Sequence, residues 1–201
     1  FDAATMERLG RHFVTLLEGA VACPEARLSD LALLSAGERR QVLVDWNATA
    51  RVYPRDSSIG EEFERQAGRA PDAEAVVCGG ERLSYGELNR RGNQLARHLR
   101  GLGVGPEVRV GICVERSVEL VVGLLGILKA GGAYVPLDPG YPAERLGFML
   151  EDSGVGVLLT QERQLSELPG PGAREVLCLD RDWGEVSQES GEDLASGVGG
   201  E

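Results

Sequence analysis

Apolar residues recur at three- and four-residue spacing through Met6, Leu9, Phe13, Leu16, Leu17 and Ala20, with Glu7, Arg8 and Arg11 between them. That period predicts an amphipathic helix ending between Gly19 and Pro24. Ser35-Ala36-Gly37-Glu38 has the form of a capping box, in which the serine hydroxyl takes a free amide and the glutamate returns to the serine amide. A short helix from Glu38 to Trp46 is expected after it. Asn47 to Asp56 contains Pro54 and little apolar periodicity, so it reads as a linker. A second box, Ser58-Ile59-Gly60-Glu61, opens a helix with Phe63 and Ala67 on one face, stopped by Pro71.

Beyond Pro71 the pattern shortens. Ala75 to Cys78 and Arg82 to Ser84 are β-like runs around Gly79-Gly80, a turn pair suited to a hairpin. A third box, Ser84-Tyr85-Gly86-Glu87, begins a helix with Leu88, Leu95 and Leu99 on its apolar face, ended by the glycines of 101–105. A strand (Val108 to Val114), a helix (Ser117 to Ala130), a strand (Ala133 to Val135), a helix begun near Pro142 and a strand (Val155 to Leu159) follow. This alternation predicts an α/β fold with a parallel, doubly wound sheet. The tail from Gly184 is rich in glycine and acid, lacks periodicity and is expected to be loop or disordered.

Composition narrows the function classes. The net charge of -11 over 201 residues argues against a nucleic-acid or anionic-membrane partner, since phosphate binding needs a basic face. The longest apolar run, Leu120 to Leu128, falls far short of the roughly 20 residues a membrane-spanning helix needs. Cys23, Cys78, Cys113 and Cys178 are widely spaced, with His12 and His98 as the only histidines, so no metal-ligand spacing is present. Reduced, buried thiols in a cytoplasmic protein are the expectation. Among 21 basic residues Lys129 is the single lysine. The chain starts at Phe1 without Met and stops in a Gly-rich acidic stretch, so a piece of a longer protein is expected.

No catalytic set can be assembled from these residues. The glycines of 101–105 follow a helix, whereas a phosphate loop follows a strand and opens a helix, so they read as a helix stop. Gly131-Gly132 meets the same objection, and Lys129 before it reads as a cation complementing the helix dipole. His98, beside Arg97 and Arg100, reads as a solvated helix residue, and His12 as a packing or surface histidine. Neither a Ser-His-Asp nor a Cys-His arrangement is present by motif. Glu151 and Asp152 at a helix end form no acid/base pair. Catalytic, cofactor-binding and metal-binding residues are each expected to number none.

Four stretches resemble a known family. Leu83-Ser84-Tyr85-Gly86-Glu87-Leu88 resembles the first core motif of the adenylation domains of nonribosomal peptide synthetases. The run from Leu128-Lys129-Ala130-Gly131-Gly132 through Ala133-Tyr134-Val135-Pro136-Leu137-Asp138-Pro139 resembles the second, with Gly140-Tyr141-Pro142-Ala143-Glu144-Arg145-Leu146 after it. Phe1 to Thr5 with Arg8, His12-Phe13 and Leu16-Leu17 is similar to the last helix of a condensation domain. Leu33-Leu34-Ser35 through Glu38-Arg39-Arg40 to Trp46-Asn47-Ala48-Thr49 is similar to the linker that follows such a domain. The resemblance covers roughly residues 1 to 165. Gly86 and Gly92 are small departures that lower helix propensity by up to about 1 kcal/mol each relative to Ala.

The resemblance implies the N-terminal part of an adenylate-forming (AMP-binding) enzyme fold, preceded by a helical condensation-domain tail and linker. Residues 1–34 would be the condensation-domain end, 35–56 the linker, and 57–201 the start of the adenylation domain, before its phosphate-binding loop. It implies a parent that activates an amino acid with ATP and Mg²⁺ and passes the acyl group to the phosphopantetheine of a carrier domain. Carrier and condensation domains would be partners in cis, with no nucleic acid and no membrane. No Tyr-Thr-Ser-Gly-Thr-Thr-Gly-like loop occurs in the 201 residues, so the piece alone is expected to be inactive. Two alternatives stand beside this reading: a free-standing acyl- or aryl-adenylating ligase, and a non-catalytic interdomain scaffold.

Overall fold

The computed structural model describes residues 1–168, 173 and 175–194 and divides into two compact units, Phe1–Tyr53 and Pro54–Glu201. In the first unit, α1 (Ala3–Ala22) is capped by Asp2, whose carboxylate accepts from the Thr5 amide at 2.7 Å. The Ser35 box forms as expected and starts α2 (Ala36–Arg40). Instead of continuing as α-helix to Trp46, the chain widens into a π-helical turn, Gln41–Asp45. The Asn47 side-chain amide donates to the Val42 carbonyl at 2.7 Å, and the Trp46 amide reaches back to Gln41 O at 2.9 Å. No residue of these helices is buried, and Leu9, Phe13 and Trp46 stay exposed.

The second unit opens with the Ser58 box and α3 (Ile59–Arg69). A hairpin of β1 (Glu74–Cys78) and β2 (Glu81–Ser84) follows, turned through Gly79 and Gly80 at φ 58° and 93°. Ser84 caps α4 (Tyr85–Gly101), but the third box is half formed. The Glu87 carboxylate turns instead to Arg90 and Arg91, each at 2.8 Å. Helix α4 ends in the glycine stop: Gly103 has φ 87° and the Val104 amide donates to Leu99 O at 3.0 Å.

The remaining elements alternate: β3 (Arg109–Cys113), α5 (Val118–Ala130), β4 (Ala133–Pro136), α6 (Ala143–Ser153), β5 (Val157–Thr160), β6 (Glu175–Cys178) and α7 (Trp183–Val186). The parallel sheet has the order β4-β3-β5-β6. From β3 the chain steps outward to β4, then returns across β3 to β5. With right-handed crossovers this reversal places α5 and α6 on opposite faces. Packing reflects it. Val110, Ile112, Val157 and Leu159 face α4 and α5, while Cys113 and Leu158 face Leu146 and Leu150 of α6. Strands covered on both faces explain the near-continuous apolar runs.

Residues 183–186 form α7, where loop was expected from Gly184, whereas 187–194 are loop as expected, with Ser187 to Asp193 hydrogen-bonded by side chains of α4. The rest of that tail, 195–201, lies outside the described residues.

Candidate functional site

The first motif builds the junction between the hairpin and α4. Leu83 is buried, Ser84 Oγ accepts from the Glu87 amide at 3.2 Å, and the Tyr85 ring packs at 5.7 Å on Phe63 of α3. The Tyr85 and Gly86 amides donate to Ala73 O and Pro71 O, both at 2.9 Å. A Cβ on Gly86 would stand 3.2 Å from that same Pro71 oxygen, so glycine lets the helix start approach the preceding turn.

The second motif ends α5 and begins β4. Gly131 takes φ 92°, and the Gly132 amide donates to Ile127 O at 3.0 Å, the left-handed helix end that glycine favours. Gly132 also faces the Val104 methyl, which a Cβ would meet at 2.7 Å. Lys129 stands in the last turn of α5 as expected, but it is a buried residue. It is 1% exposed and paired with Glu64 of α3, its stem passing over Gly60. Burial lowers its pKa, and the Glu64 hydrogen bond and charge oppose that shift. A second cation, Arg100 of α4, meets the helix end directly, donating to Lys129 O and Ala130 O at 3.3 Å.

At the carboxyl ends of β3, β4 and β5 lies an open groove of about 1130 Å³. Crevices at this edge of a parallel sheet are where such folds place ligands. Leu120, Leu124 and Pro136 line its apolar wall, and Arg145 stands over the Tyr141 ring at 4.0 Å. Between β3 and β5, where the outgoing connections diverge, side chains bridge the crevice. The Glu115 amide donates to Gln161 Oε1 at 3.1 Å, and the Glu115 carboxylate accepts from Gln164 at 2.8 Å and from Arg163. These residues were not singled out in the sequence. Their signal is positional: polar side chains directly after an apolar strand run.

The other candidates do not converge on the groove. His12 pairs with Glu38 at 3.3 Å within the first unit, and His98 is half-buried on α4. All four cysteines are free. Cys113 and Cys178 are buried, but Cys23 is exposed, against the expectation of buried thiols. Burial, with lesser contributions from Asp138 and Glu167, pushes the Cys113 thiol up to about 11, which disfavours a reactive thiolate. Among the described residues no group of His, Cys, Asp and Glu side chains could hold a metal ion. Ser117 Oγ caps α5, accepting from the Leu120 amide at 3.4 Å, and the Glu115 carboxylate is held by Gln164 and Arg163, so these two side chains are engaged within the protein.

Sheet order, crossover reversal and the two motifs define an α/β domain of the adenylate-forming class. The chain belongs to the AMP-binding enzyme family, whose sequence profile matches residues 63–197. It is 50% identical over 190 residues to a linear gramicidin synthase of Brevibacillus parabrevis, covering 94% of this chain and 4% of that protein. The chain thus spans a small part of the curated relatives it matches. The α-methyl-L-serine-AMP-bound form of the nonribosomal peptide synthetase FmoA3 superimposes with TM-score 0.76 at 36% identity, covering 99% of this chain and 22% of that one. A Mycobacterium tuberculosis fatty acyl CoA synthetase shares the fold over 69% of this chain and 30% of its own, with TM-score 0.63 at 23% identity.

Proposed function

We propose that the chain is a segment of a nonribosomal peptide synthetase whose parent activates an amino acid with ATP and Mg²⁺ as the aminoacyl-adenylate. The acyl group then passes to a phosphopantetheine carrier domain in cis. Residues 1–34 are the end of a condensation domain, 35–56 the linker and 57–201 the start of the adenylation domain, with a cytoplasmic location. The observation that carries this reading is the extent of the likeness. The match to the linear gramicidin synthase covers 94% of the chain, leaving few positions of either unit outside it. A free-standing ligase would account for the second unit alone, and the acyl-CoA synthetase likeness covers only 69%. The exposed apolar stripe of α1 supports the same reading, since such a face is ordinarily buried against a larger body.

Within the reading, the 201 residues provide the sheet and the two motif-built junctions, and the phosphate loop and the amino-acid pocket come from sequence that follows. No catalytic, cofactor-binding or metal-binding residue is assigned to this segment. The source gene tests the arrangement. A condensation domain directly upstream and a glycine-rich phosphate loop directly downstream are expected. A reading frame that opens near residue 50, or that lacks the loop, contradicts it.

A further inference from the structure

A second cavity, of about 240 Å³, shares no lining residue with the groove. Leu179 and Asp180, which follow β6, Trp183 at the start of α7, Glu119 and Val122 of α5 and Arg91 of α4 line it. It too lies at the carboxyl edge of the parallel sheet, because the chain leaves β6 there and enters α5 from β3 there. Sites for drug-sized ligands measure roughly 300–1,000 Å³, so this one calls for a smaller guest.

The lining sorts by chemistry. Val122 and Leu179, both buried, and the Trp183 indole supply apolar surface. Arg91 supplies a cation. Its Nε donates to Glu87 Oε1 at 2.8 Å and its guanidinium stands 5.9 Å from the centre of the Trp183 ring, which together orient it. Its terminal nitrogens take no hydrogen bond among the described residues. Glu119 and Asp180 supply anions. Glu119, in the first turn of α5, has no side-chain partner among the described residues. The Asp180 carboxylate accepts only from backbone amides, that of Glu162 at 3.0 and 3.2 Å and that of Arg181 at 2.9 Å. The Arg181 guanidinium is committed to Asp182 at 2.7 Å. Neither anion closes on Arg91 in an ion pair, although all three face one small cavity. Unlike charges that share a space without meeting complement a guest that carries both.

We propose that this cavity binds a small zwitterion with a short apolar body, the chemistry of a free aliphatic α-amino acid. The carboxylate lies on Arg91, whose guanidinium can donate to both oxygens, and the ammonium lies on Glu119 and Asp180. The aliphatic body packs on Val122, Leu179 and Trp183. A simple cation would face Arg91 and a simple anion would face two carboxylates, so neither uses the whole lining. The site is separate from the amino-acid pocket that the proposed function assigns to later sequence, and it holds whichever acid the parent activates.

Equilibrium dialysis of radiolabelled L-leucine against the full 201-residue chain tests it. Saturable binding is expected, half-complete at about 1 mM or below. Leucinamide, which lacks the carboxylate, and isocaproate, which lacks the ammonium, should each compete about tenfold more weakly than leucine, the loss of one charge-assisted contact. Glu119→Gln and Asp180→Asn keep the size of the lining side chains, and each should weaken leucine by about tenfold, as should Arg91→Gln. In a Trp46→Phe background Trp183 is the sole tryptophan, and its emission should change along the same saturation curve. No saturable binding up to about 10 mM overturns the proposal. So does competition by leucinamide or isocaproate equal to that of leucine, the mark of a merely apolar cleft. Leucine binding that leaves Trp183 emission unchanged places the guest elsewhere and overturns it as well. Should Arg91→Gln loosen the fold, Glu119→Gln and Asp180→Asn decide: wild-type affinity in both contradicts the site.

Discussion

Lys129 shows how far one residue's surroundings can depart from its local pattern. Position and composition place it at a helix end, where a cation ordinarily meets solvent and dipole. Its burial is matched by a partner no local pattern reveals, Glu64 on α3, with Gly60 beneath the lysine stem. Arg100 meanwhile meets the helix end from the adjacent helix. The acid groups give a testable pH response. Glu87 is held below its ordinary 4.5, chiefly by the Arg90 hydrogen bond, and Asp193 is held below its ordinary 3.8. Each depressed carboxyl contributes stability that is present above its unfolded value and lost as pH falls through the folded one. Urea midpoints should therefore be flat near neutrality and fall below about pH 4. Glu87→Gln should flatten part of that fall, and an unchanged acid limb would refute its share.

Helices α4 and α5 form the central contact of the second unit, and glycines set its closeness. A Cβ on Gly126 would lie 2.6 Å from Leu95 Cδ2, and one on Gly92 would lie 2.9 Å from Leu125 Cδ2. Each helix thus offers a gap that the other's leucine fills. Gly92, a cost by helix propensity alone, is explained by this packing. Gly126→Ala should destabilise by about 1–3 kcal/mol through overpacking. Gly68→Ala on α3, where nothing lies within 4 Å, should instead stabilise by about 0.5–1 kcal/mol. Both are read from chemical denaturation, and equal effects would contradict the packing argument. The elements held by local chemistry were legible: the serine caps, the Gly79-Gly80 hairpin, the glycine stops and the alternation of strand and helix. The π turn, the short β6 and the hold of α4 on 187–193 were not. That loop is held by side chains roughly a hundred positions away, from Asn89 to Arg97, and carries no periodicity of its own.

At the scale of the whole chain, the two units differ in kind. The first buries none of its helical residues, whereas the second has apolar clusters on both faces of a parallel sheet. The family was legible in the sequence because its motifs coincide with structural necessities: a helix cap beside Pro71, a left-handed glycine at φ 92°, and a buried lysine. The groove and its Glu115–Gln161–Arg163–Gln164 bridge were not legible, because only strand pairing brings the ends of β3 and β5 together. The central claim, an amino-acid-activating parent of which this chain is an incomplete part, is tested most directly by amino-acid-dependent exchange of pyrophosphate into ATP. The parent's complete adenylation domain should catalyse that exchange with an amino acid, and the 201-residue chain should remain at background. Exchange by the chain alone, or exchange by the parent with fatty or aryl acids but no amino acid, would contradict the account.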